Sequence, residues 1–200
     1  MQKISLEEGI ELVKLARKSI EYAMASGKKL REETQNKNFL EKKGAFVTLK
    51  TFPEEELRGC IGRPYPSQPL WNAIIDSATD AAFNDDRFGQ LSAKELEKIV
   101  IEISVMTIPM EIKRKKEELP EKIKIGEDGL IIETPYTAGL LLPQVASEEK
   151  WDSETFLQHL CLKAGLNPEE WKNPKTKISK FQAQIFKEEK PNGKIVEEKI

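Results

Sequence analysis

The sequence predicts an α+β protein whose sheet is mainly antiparallel and flanked by helices. Three observations lead there. Helical and strand-like segments are interspersed without the regular alternation of a βαβ chain. Strand-like stretches are joined by short turns of hairpin type, around Pro53 and around the "KPNGK" near the end. Helix starts are marked locally by two capping boxes, Ser5 with Glu8 and Ser92 with Glu95.

After Ser5, residues Leu6, Ile10, Val13, Ala16, Ile20 and Met24 recur at three- and four-residue steps, one face of a helix, and Gly27 suits a left-handed stop. The polar "EETQNKN" reads as a loop. "GAFVTLK" (44–50) is a short strand, "TFPEEEL" a turn, and "LRGCIG" (57–62) the returning strand of a hairpin. The prolines of "RPYPSQP" exclude a helix there, while Pro69 suits the first turn of the next one. From Leu70 to Phe83 the stripe Leu70, Ile74, Ala78, Ala81, widened by Trp71, Ile75 and Ala82, predicts a well-buried helix. Ser92 opens a short helix. "KIVIEISVMTI" is the strongest strand, with Ile99, Ile101, Ile103 and Val105 facing one way and Val100, Glu102, Ser104 and Met106 the other.

Residues 109–121 are charged and irregular, and "GEDG" (126–129) is a turn. "GLIIE" and "GLLLPQVA" read as two further strands joined near "PYTAG". A helix over 153–164 buries Phe156, Leu157, Leu160, Cys161 and Ala164 and stops at Gly165. "NPEEW" is a short helical turn with Asn167 as cap and Pro168 behind it. "KISKFQAQIFKE" is β-prone, and no internal repeat or low-complexity tract is present.

The 200 residues make one large domain or two small lobes. Hydrophobic residues, 38% of the chain, suffice for a core and argue against disorder. Charged residues reach 33%, the excess being Lys and Glu, as on the surface of a heat-adapted intracellular protein. A formal net charge of only -2 gives no basic face for a nucleic-acid backbone, and the "KRKK" at 113–116 is offset by the "EE" that follows, so it reads as a solvated face. No apolar run approaches the ~20 residues that span a bilayer, so no membrane partner is expected. The start "MQKISLEEG" lacks a signal-peptide core, and two cysteines are no disulfide framework. A reduced, cytoplasmic protein is the expected setting.

The chemistry centres on Cys60, set between Gly59 and Gly62 and two residues after Arg58. On a strand, Arg58, Cys60 and Gly62 share one face, with the first two about 6.6 Å apart at the backbone. A guanidinium there would favour thiolate, and the glycines would let a ligand approach the sulfur. The alternative is a buried cysteine in a glycine-relaxed hairpin. His159 is the single histidine, about 130° from the centre of its helix's apolar face, which predicts solvent exposure and no dyad with Cys60. Cys161 is expected to be inert packing. One histidine and two distant cysteines make no zinc site, and Asp85 and Asp86 with Glu102 read as a solvated turn and a strand carboxylate more readily than as a Mg²⁺ site. No nucleotide-binding loop is present. Glu102 and Ser104 interrupt an apolar strand, and a carboxylate there needs a partner, Arg58 or Arg87. Gln144 sits at the end of a strand, where its amide serves a pocket or a sheet edge.

Six segments in fixed order, "GAFVTL", "LRGCIG", "AAFNDDRF", "IEISVMT", "GLLLPQVA" and "WDSETFLQHLCLKAGL", resemble the AMMECR family from about Gly44 to Gly165. The resemblance implies an intracellular α/β protein spanning 1–200, with a larger and a smaller lobe and a cleft beside "LRGCIG". It implies association with Memo-like and radical-SAM proteins, and it supplies neither a reaction nor a cofactor. Carried over by motif, the candidate site residues are Arg58, Gly59, Cys60, Gly62, Asp86, Arg87, Glu102, Ser104 and Gln144. Ala138 departs from the family, which commonly has an arginine there. Two functions remain open: an enzyme using Cys60 as nucleophile or redox thiol with Arg58 holding an anionic group, or a binding module that holds a protein partner without turnover.

Overall fold

The computed structural model describes residues 3–113 and 118–198. The basic run expected to form a solvated face lies, beyond Lys113, outside the described residues. The chain divides into two compact units, Met1–Met106 with Gln184–Lys199, and Thr107–Ala183.

The first unit is built on a five-stranded sheet. Helix α1 (Leu6–Ser26) starts at the Ser5–Glu8 capping box and ends at Gly27, whose φ of 67° is left-handed. The end of the expected "EETQNKN" loop forms instead a short helix, α2 (Lys37–Leu40), because the Asn36 side chain accepts the Asn38 N–H and caps it. Strands β1 (Gly44–Thr51) and β2 (Leu57–Arg63) make the expected hairpin. Helix α3 (Leu70–Phe83) follows with Pro69 as its N-cap, and the short α4 (Ala93–Leu96) starts at the second capping box. All eight residues of β3 (Ile99–Met106) are buried. With β8 (Ala183–Glu188) and β9 (Ile195–Glu198), the order across the sheet is β2-β1-β3-β8-β9, which leaves β2 at an edge. Leu49, Ile101 and Ile103 join Leu12, Ala16, Ile74 and Ala78 of α1 and α3 in one core. The other sheet face carries Thr48 and Lys50 of β1, Cys60 and Gly62 of β2, and Glu102 and Ser104 of β3.

The second unit holds a four-stranded sheet ordered β4-β7-β5-β6, from β4 (Met110–Glu111), β5 (Gly129–Glu133), β6 (Ala138–Leu141) and β7 (Lys177–Phe181). Its pairs β4–β7, β5–β6 and β5–β7 are antiparallel, as are β1–β2, β1–β3 and β8–β9 of the first sheet. The α+β class with mainly antiparallel sheets therefore holds. "GLLLPQVA" is a strand only to Leu141; Pro143 then opens α5 (Pro143–Glu148), since an extended Leu142 followed by proline is a helix start. "KISKFQAQIFKE" splits into β7 and β8, which lie in different sheets. At the break the Gln182 C=O accepts the Thr107 N–H and the Gln182 N–H donates to the Thr107 hydroxyl. Helix α6 (Ser153–Lys163) packs Phe156, Leu157, Leu160 and Cys161 into the second core, and Gly165 has φ 70°.

Candidate functional site

Register places Thr48 of β1 opposite Cys60 of β2 on one side and opposite Glu102 of β3 on the other. Thiol, hydroxyl and carboxylate thus form one row across three strands. The Thr48 hydroxyl and the Cys60 thiol share a hydrogen bond at 3.2 Å. Glu102, 3% exposed, accepts a hydrogen bond from the Lys50 ammonium at 2.9 Å. The expectation of an arginine partner for Glu102 is corrected: Lys50 lies two residues along β1 on the same face and reaches the carboxylate directly. Ser104 sits in the next row, opposite Phe46, with its buried hydroxyl lacking a hydrogen-bond partner.

Arg58 does not act on Cys60. The β1–β2 register shifts between Leu49 and Lys50, pairing Gly59 with Leu49 and Leu57 with Lys50. Arg58 is the extra residue of this bulge, and a bulge re-aims its side chain. Its Nε donates to Glu95 at 2.8 Å, its Nη2 to the Gly89 carbonyl at 3.0 Å, and the guanidinium lies over the Phe88 ring. Glu95 is held down to a pKa of about 2, first by Arg58 and then by its bonds from Ser92.

The glycines are also used differently from the expectation of ligand access. A Cβ on Gly59 would lie 2.2 Å from the Ala81 carbonyl oxygen of α3, so this glycine lets the helix backbone close on the strand. A Cβ on Gly62 would meet the Phe46 ring at 2.3 Å and the Ala45 carbonyl oxygen at 2.5 Å.

Asp85 and Arg87 do reach Cys60, through its backbone. Asp85 Oδ2 accepts the Cys60 N–H at 2.8 Å, and Arg87 Nη2 donates to the Cys60 carbonyl at 3.1 Å. The two side chains are paired at 2.9 and 2.7 Å. Arg87 in particular, helped by the Cys60 N–H and against some burial, lowers the Asp85 pKa to about 2. An unfolded Asp ionises at about 3.9. The pair therefore contributes fully to stability above that value, and its contribution is lost as pH falls toward 2. Burial pushes the Cys60 thiol up, against smaller opposing effects of the Thr48 hydrogen bond and the Arg87 charge. Asp86 is exposed. Gln144 lies in α5 of the second unit, its Oε1 buried without a hydrogen-bond partner.

His159 is half-buried, not solvent-facing: its ring stacks on Trp151 with centroids 3.8 Å apart and planes at 11°. Cys161 is fully buried, which raises its thiol pKa, and both cysteines are free. Among the described residues no three His, Cys, Asp or Glu side chains are grouped to hold a metal, and no helix is long and apolar enough to cross a membrane.

The site residues that sequence reasoning missed are Thr48 and Lys50. Their signal was present in the alternation of "VTLK", in which Val47 and Leu49 face the core and Thr48 and Lys50 the other side. A Lys50→Met variant should lose about 2 kcal/mol, the lower range for stranding a buried carboxylate because Lys50 itself is 28% exposed. Urea unfolding measures it; a loss under about 0.5 kcal/mol would mean the pair contributes nothing.

Two antiparallel sheets in separate compact units, with a cross-strand Cys–Thr–Glu row on the first, make this an α+β protein. The chain belongs to the AMMECR1 family, whose pattern matches residues 13–186. It is 49% identical to protein MJ0810 of Methanocaldococcus jannaschii over the full length of both chains. It is 48% identical to protein MK0488 of Methanopyrus kandleri, covering 98% of this chain and 96% of that one. The crystal structure of uncharacterized protein PH0010 from Pyrococcus horikoshii has a similar fold, with a TM-score of 0.95 at 44% identity and full coverage of both chains.

Proposed function

We propose that this protein is a recognition module that engages a protein partner at the part of its five-stranded sheet where Cys60 and Lys50 are partly exposed, with Thr48 and Glu102 buried behind them, without turnover at the thiol. The observation that carries this reading is the state of Cys60. Its thiol is hydrogen-bonded to Thr48 and shifted upward by burial, the reverse of an activated nucleophile. The carboxylate nearest the Cys60 backbone, Asp85, is tied to Arg87 and to the Cys60 N–H and is no base. Beside Lys50 and Glu102 lies a pocket of about 190 Å³ walled by Phe52, Val100 and Lys187. That is smaller than the roughly 300–1,000 Å³ of small-molecule sites and fits one side chain of a partner. The partner in this reading is a Memo-like or radical-SAM protein, the association that the family resemblance implies, and two free cysteines suit a reduced cytoplasmic setting.

Alkylation of Cys60 as a function of pH tests the reading. The rate should rise with an inflection above the ordinary thiol value, because burial pushes the thiol up, whereas catalytic thiols titrate at about 3.5–7.5. Arg87→Ala should move the inflection further up, because Arg87 is the cation acting on the sulfur, and Arg58→Ala should leave it in place. An inflection below about 7.5 would return Cys60 to nucleophilic chemistry.

A further inference from the structure

We infer that Asp85 and Arg87 act together as a surrogate strand that closes the free edge of the five-stranded sheet against pairing with a second copy of this chain. Strand β2 is one of the sheet's two edges, β9 being the other, and an edge offers outward N–H and C=O groups to any extended segment. At Cys60 both groups are occupied by side chains: the N–H by Asp85 Oδ2 at 2.8 Å and the C=O by Arg87 Nη2 at 3.1 Å. One acceptor and one donor, themselves joined at 2.7 Å, complete the two-bond ring that a residue of an antiparallel neighbour would make. A second observation fixes the ring in place. Arg87 Nε and the Arg87 N–H both bond Asp85 Oδ1, at 2.9 and 3.2 Å, and Asp85 is only 6% exposed.

The occupant kept out is a second β2, because pairing there is self-complementary. Two antiparallel β2 strands centred on Cys60 would exchange N–H and C=O from the same residue across a two-fold axis, the isologous arrangement of symmetric dimers. This inference concerns the sheet edge and stands apart from the proposed recognition face.

The test is the mass of a folded Asp85→Ala/Arg87→Ala double variant by size exclusion with light scattering over rising concentration, beside the wild-type chain. The double variant should gain a concentration-dependent larger species that the wild-type chain does not show, and exchange of the Cys60 amide measured at low concentration should quicken by roughly tenfold or more. Adding Cys60→Pro removes the outward N–H and costs no backbone bond to β1, only the thiol bond to Thr48, so it should abolish the new species. An unchanged mass overturns the inference, as does association that Cys60→Pro fails to reverse. If the double variant does not fold, Asp85→Ser/Arg87→Ser, which shortens both side chains and keeps them polar, is read the same way: a new species supports the surrogate strand and an unchanged mass overturns it.

Discussion

A Glu188→Ala variant is expected to lose about 3–5 kcal/mol of folding stability, the cost of stranding one member of a buried ion pair. Glu188 ends β8, and Arg17 projects from the fourth turn of α1; their side chains are 3% and 8% exposed. The guanidinium donates from Nε and Nη2 to the two carboxylate oxygens at 2.8 and 2.5 Å. Two further N–H groups reach the carbonyls of Leu96 and Ile99, and Glu188 also accepts the Ile101 N–H. One carboxylate thus ties the first helix to two neighbouring strands. Removing it leaves a buried cation and a buried N–H short of partners at once, each a recognised source of large losses. Glu188→Gln, which keeps the shape and one acceptor, should fall between wild type and alanine. Urea unfolding with an unchanged denaturant slope gives the figure. A loss below about 1 kcal/mol would mean water reaches Arg17 and replaces its partner.

Gly59→Ala should cost about 3 kcal/mol, the upper part of the range for overpacking. The added methyl would lie 2.2 Å from the Ala81 carbonyl oxygen, a backbone atom that cannot swing aside as a side chain would. Either α3 lifts from the sheet, or β2 shifts and disturbs the Cys60 row. Gly89→Ala is the matched control: nothing lies within 4 Å of its added methyl, and it should stay within about 0.5 kcal/mol. Thermal melts of the two variants decide the matter. Equal, small shifts would free Gly59 from its packing role and restore the reading in which the glycines of "LRGCIG" open a path to the sulfur.

Much of the fold was legible in the sequence because its signals are local. The Ser5–Glu8 and Ser92–Glu95 boxes, the stops at Gly27 and Gly165, the hairpin of β1 and β2, and the period-two pattern of β3 depend on residues a few positions apart. The elements misread were those whose local signals conflict. "LLLPQVA" is apolar enough for a strand, yet its proline opens a helix. "KISKFQAQIFKE" is uniformly β-prone, yet it is parted between two sheets at Gln182, where Thr107 bonds its backbone.

The site divided along the same line. By itself, the sequence determined that Cys60 lies on a strand beside two glycines, that Cys161 faces a core, and that Glu102 requires a cationic partner. The tertiary structure decided which partner. A bulge between Leu49 and Lys50 turned Arg58 away to Glu95, strand alternation brought Lys50 to Glu102, and the segment after α3 brought Asp85 and Arg87 to the Cys60 backbone. Alternation along a strand specifies a face. Which charge meets which across that face is set by strand register, and one extra residue in a hairpin is enough to reassign it.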